Sequence, residues 1–317
     1  MAVSRQRFLF EGPGIYYIDL NQSTSLQERK MQRGMLMRNV RGGLIKDSNN
    51  DSVVRINVAP ATWPVKTAIK RGFKLWNQMI EMRIKEGGIG ISKGKYHDFK
   101  VFLNHHHYLT GITNNTLPVD AGGTTLTSGE WTYSRIVSED VNWSDPTLVA
   151  NRNRNAEQYF LHIVGPHVDG TGTVGGTTVD PTNGEWRSVG LVRSWIDTRS
   201  EPHVNDPAFP TAALSDPLAN MFDESDADDE VLERLRDDND EAPYDENSLF
   251  GIGHGTGNHA DLQRVAMAAT QSGAGQISAL NGFSALNGLI QVHITQDPQD
   301  TGQVEMILDV DMKGEKL

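Results

Sequence analysis

The closing stretch of the chain restricts the fold more than any other. Leu289, Gln291, His293 and Thr295 oppose Ile290, Val292 and Ile294; further on, Val304, Met306, Leu308, Val310 and Met312 oppose Glu305, Ile307, Asp309 and Asp311. A period of two puts successive side chains on opposite faces of a strand. Each run is therefore a strand, and the linker 296–303, with its Asp-Pro and Thr-Gly steps, predicts an antiparallel hairpin with a longish loop. These strands need a sheet to join. The preceding region 251–288 is rich in Gly, Ala, Ser and Asn and offers little patterning beyond a direct repeat, Ser278-Ala-Leu-Asn-Gly282 and Ser284-Ala-Leu-Asn-Gly288. The pair is expected to complete a sheet begun near the N-terminus.

Other segments supply that sheet. Phe8-Leu9-Phe10 and Ile15 to Leu20 are aromatic and β-branched, split by the turn signal Gly12-Pro13-Gly14. Gly34 to Ile45 reads as a strand with a Gly bulge, and Ser52 to Val58 alternates cleanly. Lys95 to Leu103, Glu130 to Val137, Gln158 to Val164 and Val189 to Ile196 add further strand candidates.

One long helix interrupts them. Val65, Ala68, Ile69, Gly72, Phe73, Trp76, Met79, Ile80 and Ile84 recur at helical spacing from Trp63 onward, with Pro64 in the first turn and Gly87-Gly88 as the stop. A shorter surface helix is predicted at about 226–237 within the acidic stretch 221–247. With no βαβ alternation, the pattern predicts an all-β fold: a single jelly roll, an antiparallel β-sandwich with one long inserted helix and large surface loops. The chain 1–317 is read as one domain with long loops at about 104–129, 165–185 and 200–288. A double jelly roll, the alternative, needs roughly sixteen strands, more than the pattern supplies.

Bulk properties exclude several classes. There are no cysteines, so disulfides and thiolate metal sites are ruled out. No apolar run approaches the roughly 18 residues of a membrane span, and the N-terminal residues lack the apolar core of a signal peptide. The expectation is a protein made in a cytoplasm. The net charge of −12 hides a division: residues 1–100 carry 18 Lys+Arg against 8 Asp+Glu, whereas 101–317 carry 11 against 33. Such asymmetry points to a basic face and an acidic one.

Motifs that carry chemistry are few in this sequence. Gly251 to Gly257 has phosphate-loop spacing without the strand before it or the Lys-Ser/Thr after it. Asp300-Thr301-Gly302 is a single copy placed in a turn. His105-His106-His107 follow one another along an extended end, where side chains diverge, so loop or subunit contact is favoured over a metal. The acidic run 223–246 lacks the central Gly and terminal Glu of a calcium loop and reads as a solvated face, calcium bridging between subunits being the lesser option. No nucleophile–base grouping stands out. The sequence points away from an enzyme, with no cofactor.

Nucleic-acid contact has a better basis. Arg29, Lys30, Arg33, Arg38 and Arg41 cluster before and within one predicted strand, and the long helix adds Lys66, Lys70, Arg71 and Lys74. Such a surface neutralises phosphates without reading bases.

Several strings then fall in one order: Ile18-Asp-Leu-Asn-Gln-Ser-Thr-Ser-Leu-Gln-Glu-Arg-Lys-Met-Gln-Arg-Gly34, Lys70-Arg-Gly-Phe-Lys-Leu-Trp-Asn-Gln-Met79, Tyr96-His-Asp-Phe-Lys-Val101, Gly129-Glu-Trp-Thr-Tyr-Ser134, Leu161-His-Ile-Val-Gly-Pro166 and Asp197-Thr-Arg-Ser-Glu-Pro202. With Asp240-Glu-Ala-Pro-Tyr-Asp245 and the closing pair of strands, they resemble capsid proteins of small circular single-stranded DNA viruses, known mostly from environmental sequences. The likeness runs from about residue 15 to 313, and its force lies in the order of the strings. The resemblance implies a jelly-roll coat protein that self-assembles into an icosahedral shell around the genome. Its partners would be copies of itself, viral single-stranded DNA and a host receptor, and its location the virion. The chain departs from the usual coat-protein pattern in lacking an Arg-rich N-terminal arm, which leaves room for a lining wall that meets the nucleic acid or for a shell enclosing a membrane vesicle. The alternative from another class is a carbohydrate-binding or adhesive sandwich, with Trp63, Trp131, Trp143, Trp186 and Trp195 as sugar platforms. A cupin-type enzyme would need a better metal set than His105, His107 and His162.

Overall fold

The computed structural model describes residues 2–47, 52–86, 94–110, 115–139, 156–167, 172–174, 177–179, 187–200, 259, 261–270, 277–296 and 302–316. In chain order the elements are β1 (Val3–Glu11), β2 (Gly14–Asp19), α1 (Leu20–Glu28), β3 (Leu36–Asp47), β4 (Val53–Val58), α2 (Trp63–Glu86), β5 (Phe102–Asn104), α3 (His105–Thr110), β6 (Arg135–Glu139) and β7 (Ala156–Val164). They continue with β8 (Gly172–Val174), β9 (Thr177–Val179), β10 (Arg187–Gly190), α4 (Leu191–Ser200), β11 (Gln263–Ala269), β12 (Ile277–Leu286), β13 (Leu289–Thr295), β14 (Gln303–Asp311) and β15 (Glu315–Lys316).

Two four-stranded antiparallel arrays form the body. Sheet A runs β1-β14-β3-β12, with β15 added beside β3, and sheet B runs β11-β4-β13-β2. Each step from one of these eight strands to the next changes sheet, except that from β4 to β11. Between those two the chain inserts residues 59–262. The last strands pair with the first: β14 with β1 from Val3↔Asp311 to Glu11↔Gln303, and β13 with β2 from Leu289↔Asp19 to Ile294↔Gly14. The sequence expectation of a sheet begun at the N-terminus and completed at the C-terminus is met.

The expected hairpin is not. β13 pairs with β2 and β4 in one sheet, and β14 with β1 and β3 in the other. The reason is apolar. Ile290, Val292 and Ile294 of β13 and Val304, Met306, Leu308 and Val310 of β14 all belong to one buried core, together with Phe8, Phe10, Ile18, Val54 and Ile56. Their apolar faces meet across the sandwich instead of lying side by side. Sheets stack about 10 Å apart, a gap that the linker spans.

Sheet B is covered on its other face as well. A second core joins Tyr17, Leu289 and Leu286 of the sandwich to Val65, Ala68, Ile69 and Trp76 of α2, Phe99, Val101, Leu103, Leu161, Ile163 and Val164 of the insertion, and Val192 and Trp195 of α4. The helical stripe read from sequence lies on this side: Val65, Ala68, Ile69, Gly72 and Trp76 are buried and Phe73, Met79, Ile80 and Ile84 half-buried. At Gly72 an added Cβ would stand 2.7 Å from Leu191 Cδ2, so the glycine lets α4 close on α2. A small sheet backs them. β7 pairs in parallel with β5 and β10 and antiparallel with β6.

Several expected boundaries move. Lys95–Leu103 forms strand only from Phe102, because Lys100 pairs with an irregular segment instead: its N–H donates to Ser134 Oγ at 2.9 Å and its carbonyl accepts from Ser134 N at 2.8 Å. Val189–Ile196 is strand only to Gly190. Leu191, Val192, Trp195 and Ile196 have helical spacing and open α4. The expected loop 200–288 contains strands β11 and β12, and the expected loop 104–129 contains α3. The helix at 226–237, the acidic run 223–246, Gly251–Gly257, Trp143, Trp186 and most of loop 165–185 lie outside the described residues.

The repeated pentapeptide adopts two conformations. Its first copy is straight strand in β12, with Gly282 pressed on β3 so that a Cβ would meet Arg41 O at 2.5 Å. Its second copy ends in a turn, Asn287 at φ 53° and Gly288 at φ 71°, that sends the chain from sheet A to sheet B. Gly282→Ala should cost about 1–3 kcal/mol from forced backbone displacement. Gly129→Ala, in open space, should lie within about 0.5 kcal/mol of the parent, both read by urea denaturation.

Candidate functional site

The nine cations singled out by sequence do not share one fate. Arg29, in the left-handed region at φ 51°, caps the C-terminus of α1, and with Lys30 and Arg33 it is exposed. Lys70, Arg71 and Lys74 are exposed on α2 and Lys66 is half-buried. The two groups sit on adjoining elements. Gly34 N donates to Asp98 Oδ2 at 2.7 Å, and the next residue, Phe99, packs on Phe73 and Trp76 of α2.

Arg38 and Arg41 leave this set. Arg38 is fully buried; Nε donates to Asn21 Oδ1 at 2.7 Å, one terminal nitrogen to Met312 O at 2.9 Å and the other to Gln32 Oε1 at 2.9 Å. Burial lowers its pKa, with Asp19 opposing. It is a structural cation, since desolvated Arg persists only when its donors are spent. Arg41 sits on sheet A in an ion pair with Asp311 at 2.7 Å. Arg5 pairs likewise with Asp309 at 2.7 Å, and Arg7 with Glu305.

Around Arg38 lies a small polar centre. Asp19 caps α1, accepting from Asn21 N at 2.9 Å and Gln22 N at 3.3 Å on Oδ1, while Oδ2 accepts from Trp131 Nε1 at 3.2 Å. Burial pushes its carboxyl up to about 6, opposed by these hydrogen bonds and by Lys100. The Lys100 ammonium lies 4.2 Å from the centre of the Trp131 ring. Asp19, Lys100, Trp131 and Asn287 line a cavity of about 10 Å³, room for about one water. Trp131 is half-buried beside this cavity, with its indole N–H turned to Asp19.

The outer face of sheet B carries the second polar group. Tyr17 Oη accepts from Gln291 Nε2 at 2.9 Å, and its single proton lies between His106 Nδ1 at 2.7 Å and Asn104 Oδ1 at 3.2 Å. Gln291 Oε1 accepts from Asn57 Nδ2 at 2.9 Å and His259 Nδ1 at 2.7 Å. His107 stacks on Tyr17 at 4.3 Å with 7° between planes. Its tautomer follows from its partners: Nδ1 accepts from Leu103 N at 3.1 Å, so Nε2 carries the proton and donates to Asn115 Oδ1 at 2.8 Å. Burial lowers His106 and His107 to about 4 each. His162, between Ser188 Oγ at 2.7 Å and Pro166 O at 2.9 Å, is lowered to about 3 by burial.

The triple histidine thus begins a helix, capped by Asn104 Oδ1 accepting from His107 N at 2.9 Å. Among the described residues no group of three or more His, Asp or Glu could hold a metal ion. Comparison with protein-family models, with curated proteins and with solved structures returns no match. No helix among the described residues is long and apolar enough to cross a membrane.

Sequence reasoning missed Asp19, Tyr17 and Gln291. An acid two residues before Asn21-Gln22-Ser23-Thr24 is a capping signal, but the buried Gln on the polar register of a strand has none. Arg38→Ala should destabilise by about 3 kcal/mol or more, since three acceptors lose a buried donor. Arg41→Ala should cost no more than about 1 kcal/mol. Parallel denaturation curves check the contrast.

Proposed function

We propose that this chain is a structural coat protein whose eight-stranded sandwich is a single jelly roll and which assembles with copies of itself into a closed shell around single-stranded DNA. The observation that carries the reading is the strand order. Numbered along the chain, the eight strands run 1-8-3-6 in one sheet and 5-4-7-2 in the other, the interleaving expected of two nested Greek keys, an architecture used by viral capsids and lectins. Eight strands in the sandwich favour one roll over the roughly sixteen of a double roll. The ordered strings of the sequence resemblance favour capsid over lectin, since fold alone does not assign function.

In this reading the exposed cations Arg29, Lys30, Arg33, Lys70, Arg71 and Lys74 form the lining that meets nucleic acid by charge alone. Arg38 is spent inside the fold, and the exposed Arg41 is paired with Asp311. No catalytic role is assigned. The adhesive alternative has one observation in its favour: Trp63 is 57% exposed and stands edge-on to Trp195 at 5.2 Å.

Negative-stain microscopy of the purified protein should give closed particles of uniform size. A monodisperse monomer that binds glycans, and loses binding with Trp63→Ala, would favour the adhesive reading. Changing Arg29, Lys30 and Arg33 together to Gln should cut packaged nucleic acid severalfold, measured by the ratio of absorbance at 260 and 280 nm, and leave particles intact. Unchanged packaging would remove these residues from the lining.

A further inference from the structure

Four histidines converge where the insertion closes on sheet B. His106 and His107 come from α3, His259 from the returning chain just before β11, and His293 from β13. His106 reaches the Tyr17 hydroxyl, His107 stacks on the Tyr17 ring, His259 donates to Gln291, and His259 lies 4.5 Å from His293, ring to ring. The His107 contact needs a neutral ring, since its Nδ1 accepts from Leu103 N at 3.1 Å.

We propose that His106 and His107, seated against Tyr17, form an acid-operated latch, holding the insertion against sheet B at neutral pH and releasing it when they take up protons. The inference does not rest on the coat-protein reading. The groups that face the cluster make it sensitive to charge. His105 and His259 bear on His106; His106 bears on His107; His259, Arg55 of β4 and Arg264 of β11 bear on His293. All are cationic when charged. Tyr17 and Tyr133, which stack on or face His107, are phenols pushed up by burial and stay neutral.

Protonation has local consequences. His107 Nδ1 accepts from Leu103 N, so a proton there breaks that bond and turns the ring. A second charge on His106 then adds repulsion. In the closed form His106 and His107 stay neutral down to about 4, whereas a free imidazole takes its proton near 6.5. Opening therefore takes up protons, and closure is lost as pH falls below about 6.5.

One group works the other way. Asp19 bonds the insertion through Trp131 and holds its proton up to about 6 when closed. An exposed carboxyl lets it go until about 4, so opening releases that proton. The net uptake between pH 6 and 4 is about one proton, and about two once Asp19 is made non-titrating.

Amide exchange on the full chain, corrected for its intrinsic pH dependence, tests this. Residues 102–110 and 115–134 should lose protection about tenfold per pH unit below pH 6, while 3–11 and 303–311 of sheet A keep theirs. Asp19→Asn, which retains a capping side chain, should steepen the loss toward about 100-fold per unit. His106→Gln, whose side-chain oxygen can still accept from the Tyr17 hydroxyl, removes one of the two protons taken up and should flatten the loss. Protection of the insertion that stays flat from pH 7.5 to 4.5 would overturn the proposal. So would loss of both regions together, or a slope unchanged by Asp19→Asn.

Discussion

Sheet B is buried on both faces, and everything in the insertion depends on how its second face is satisfied. An antiparallel sheet ordinarily keeps one face wet and alternates accordingly. β2, β4 and β13 do alternate, with Ile18, Ile56 and Val292 toward the sandwich core. The opposite register, Tyr17, Asn57 and Gln291, is nonetheless buried. Those polar groups cannot find water, so they must find each other. They do so through Gln291, which accepts from Asn57 and His259 and donates to Tyr17. Hydrogen bonds of this kind add direction to burial. The apolar contacts of α2, α4 and the β5–β7 strands would allow the insertion to slide over sheet B. The bonds of His106 and Asn104 to Tyr17 fix one register.

The second anchor lies at the end of the sandwich, where three connections meet. Leu20 N donates to Gly288 O at 2.8 Å, and Asn21 Nδ2 donates to Asn287 O at 2.6 Å. The start of α1 is thereby tied to the turn that carries β12 into β13. Arg38 enters through Asn21 and reaches Met312 beyond β14. One buried guanidinium thus joins the α1 connection, β3 and the C-terminal strand, segments far apart in sequence. The same place holds Asp19, whose carboxylate is costly to bury and is kept because it caps α1 and receives Trp131. The rise of its pKa is the measure of a burial that its hydrogen bonds only partly offset.

What could be read beforehand follows from the range of the forces involved. Alternation in 289–312 and helical spacing in 63–84 reflect local geometry, and both elements lie where the pattern puts them. The partner of each strand is a long-range matter. Period two gives the same signal for adjacent strands of one sheet and for strands facing across a sandwich, so the hairpin of β13 and β14 was a reasonable and mistaken expectation. α1 escaped because Asn21, Ser23 and Thr24, which surround Gln22, are weak helix formers. It forms through the Asp19 cap and through burial of all four side chains. The Asn287-Gly288 step was a legible turn signal hidden inside a repeat whose first copy, Asn281-Gly282, runs straight. Identical residues part ways there because Gly282 lies against the β3 backbone, whereas Gly288 lies against Asn21 and Arg38. The basic set was legible as composition only. Whether an Arg faces water or Met312 O depends on contacts that no local window contains.

The charge division along the chain acquires a different meaning in the fold. Sequence halves of opposite sign suggest a basic face and an acidic face, but sheet A places its last long strand, β14, between β1 and β3. Arg5 and Arg7 of β1 then meet Asp309 and Glu305, and Arg41 of β3 meets Asp311. Opposite charges on neighbouring strands attract, and this strand order pairs three cations from the first hundred residues with three acids of β14. It also separates the cations into two kinds. Arg29, Lys30, Arg33, Lys70, Arg71 and Lys74 are exposed and make no ion pair among the described residues. Arg29, Lys30 and Arg33 lie on the connection before β3 and Lys70, Arg71 and Lys74 on α2, the two being joined through Asp98 and Phe99. Arg5, Arg7 and Arg41, by contrast, already have their counter-charge within the fold.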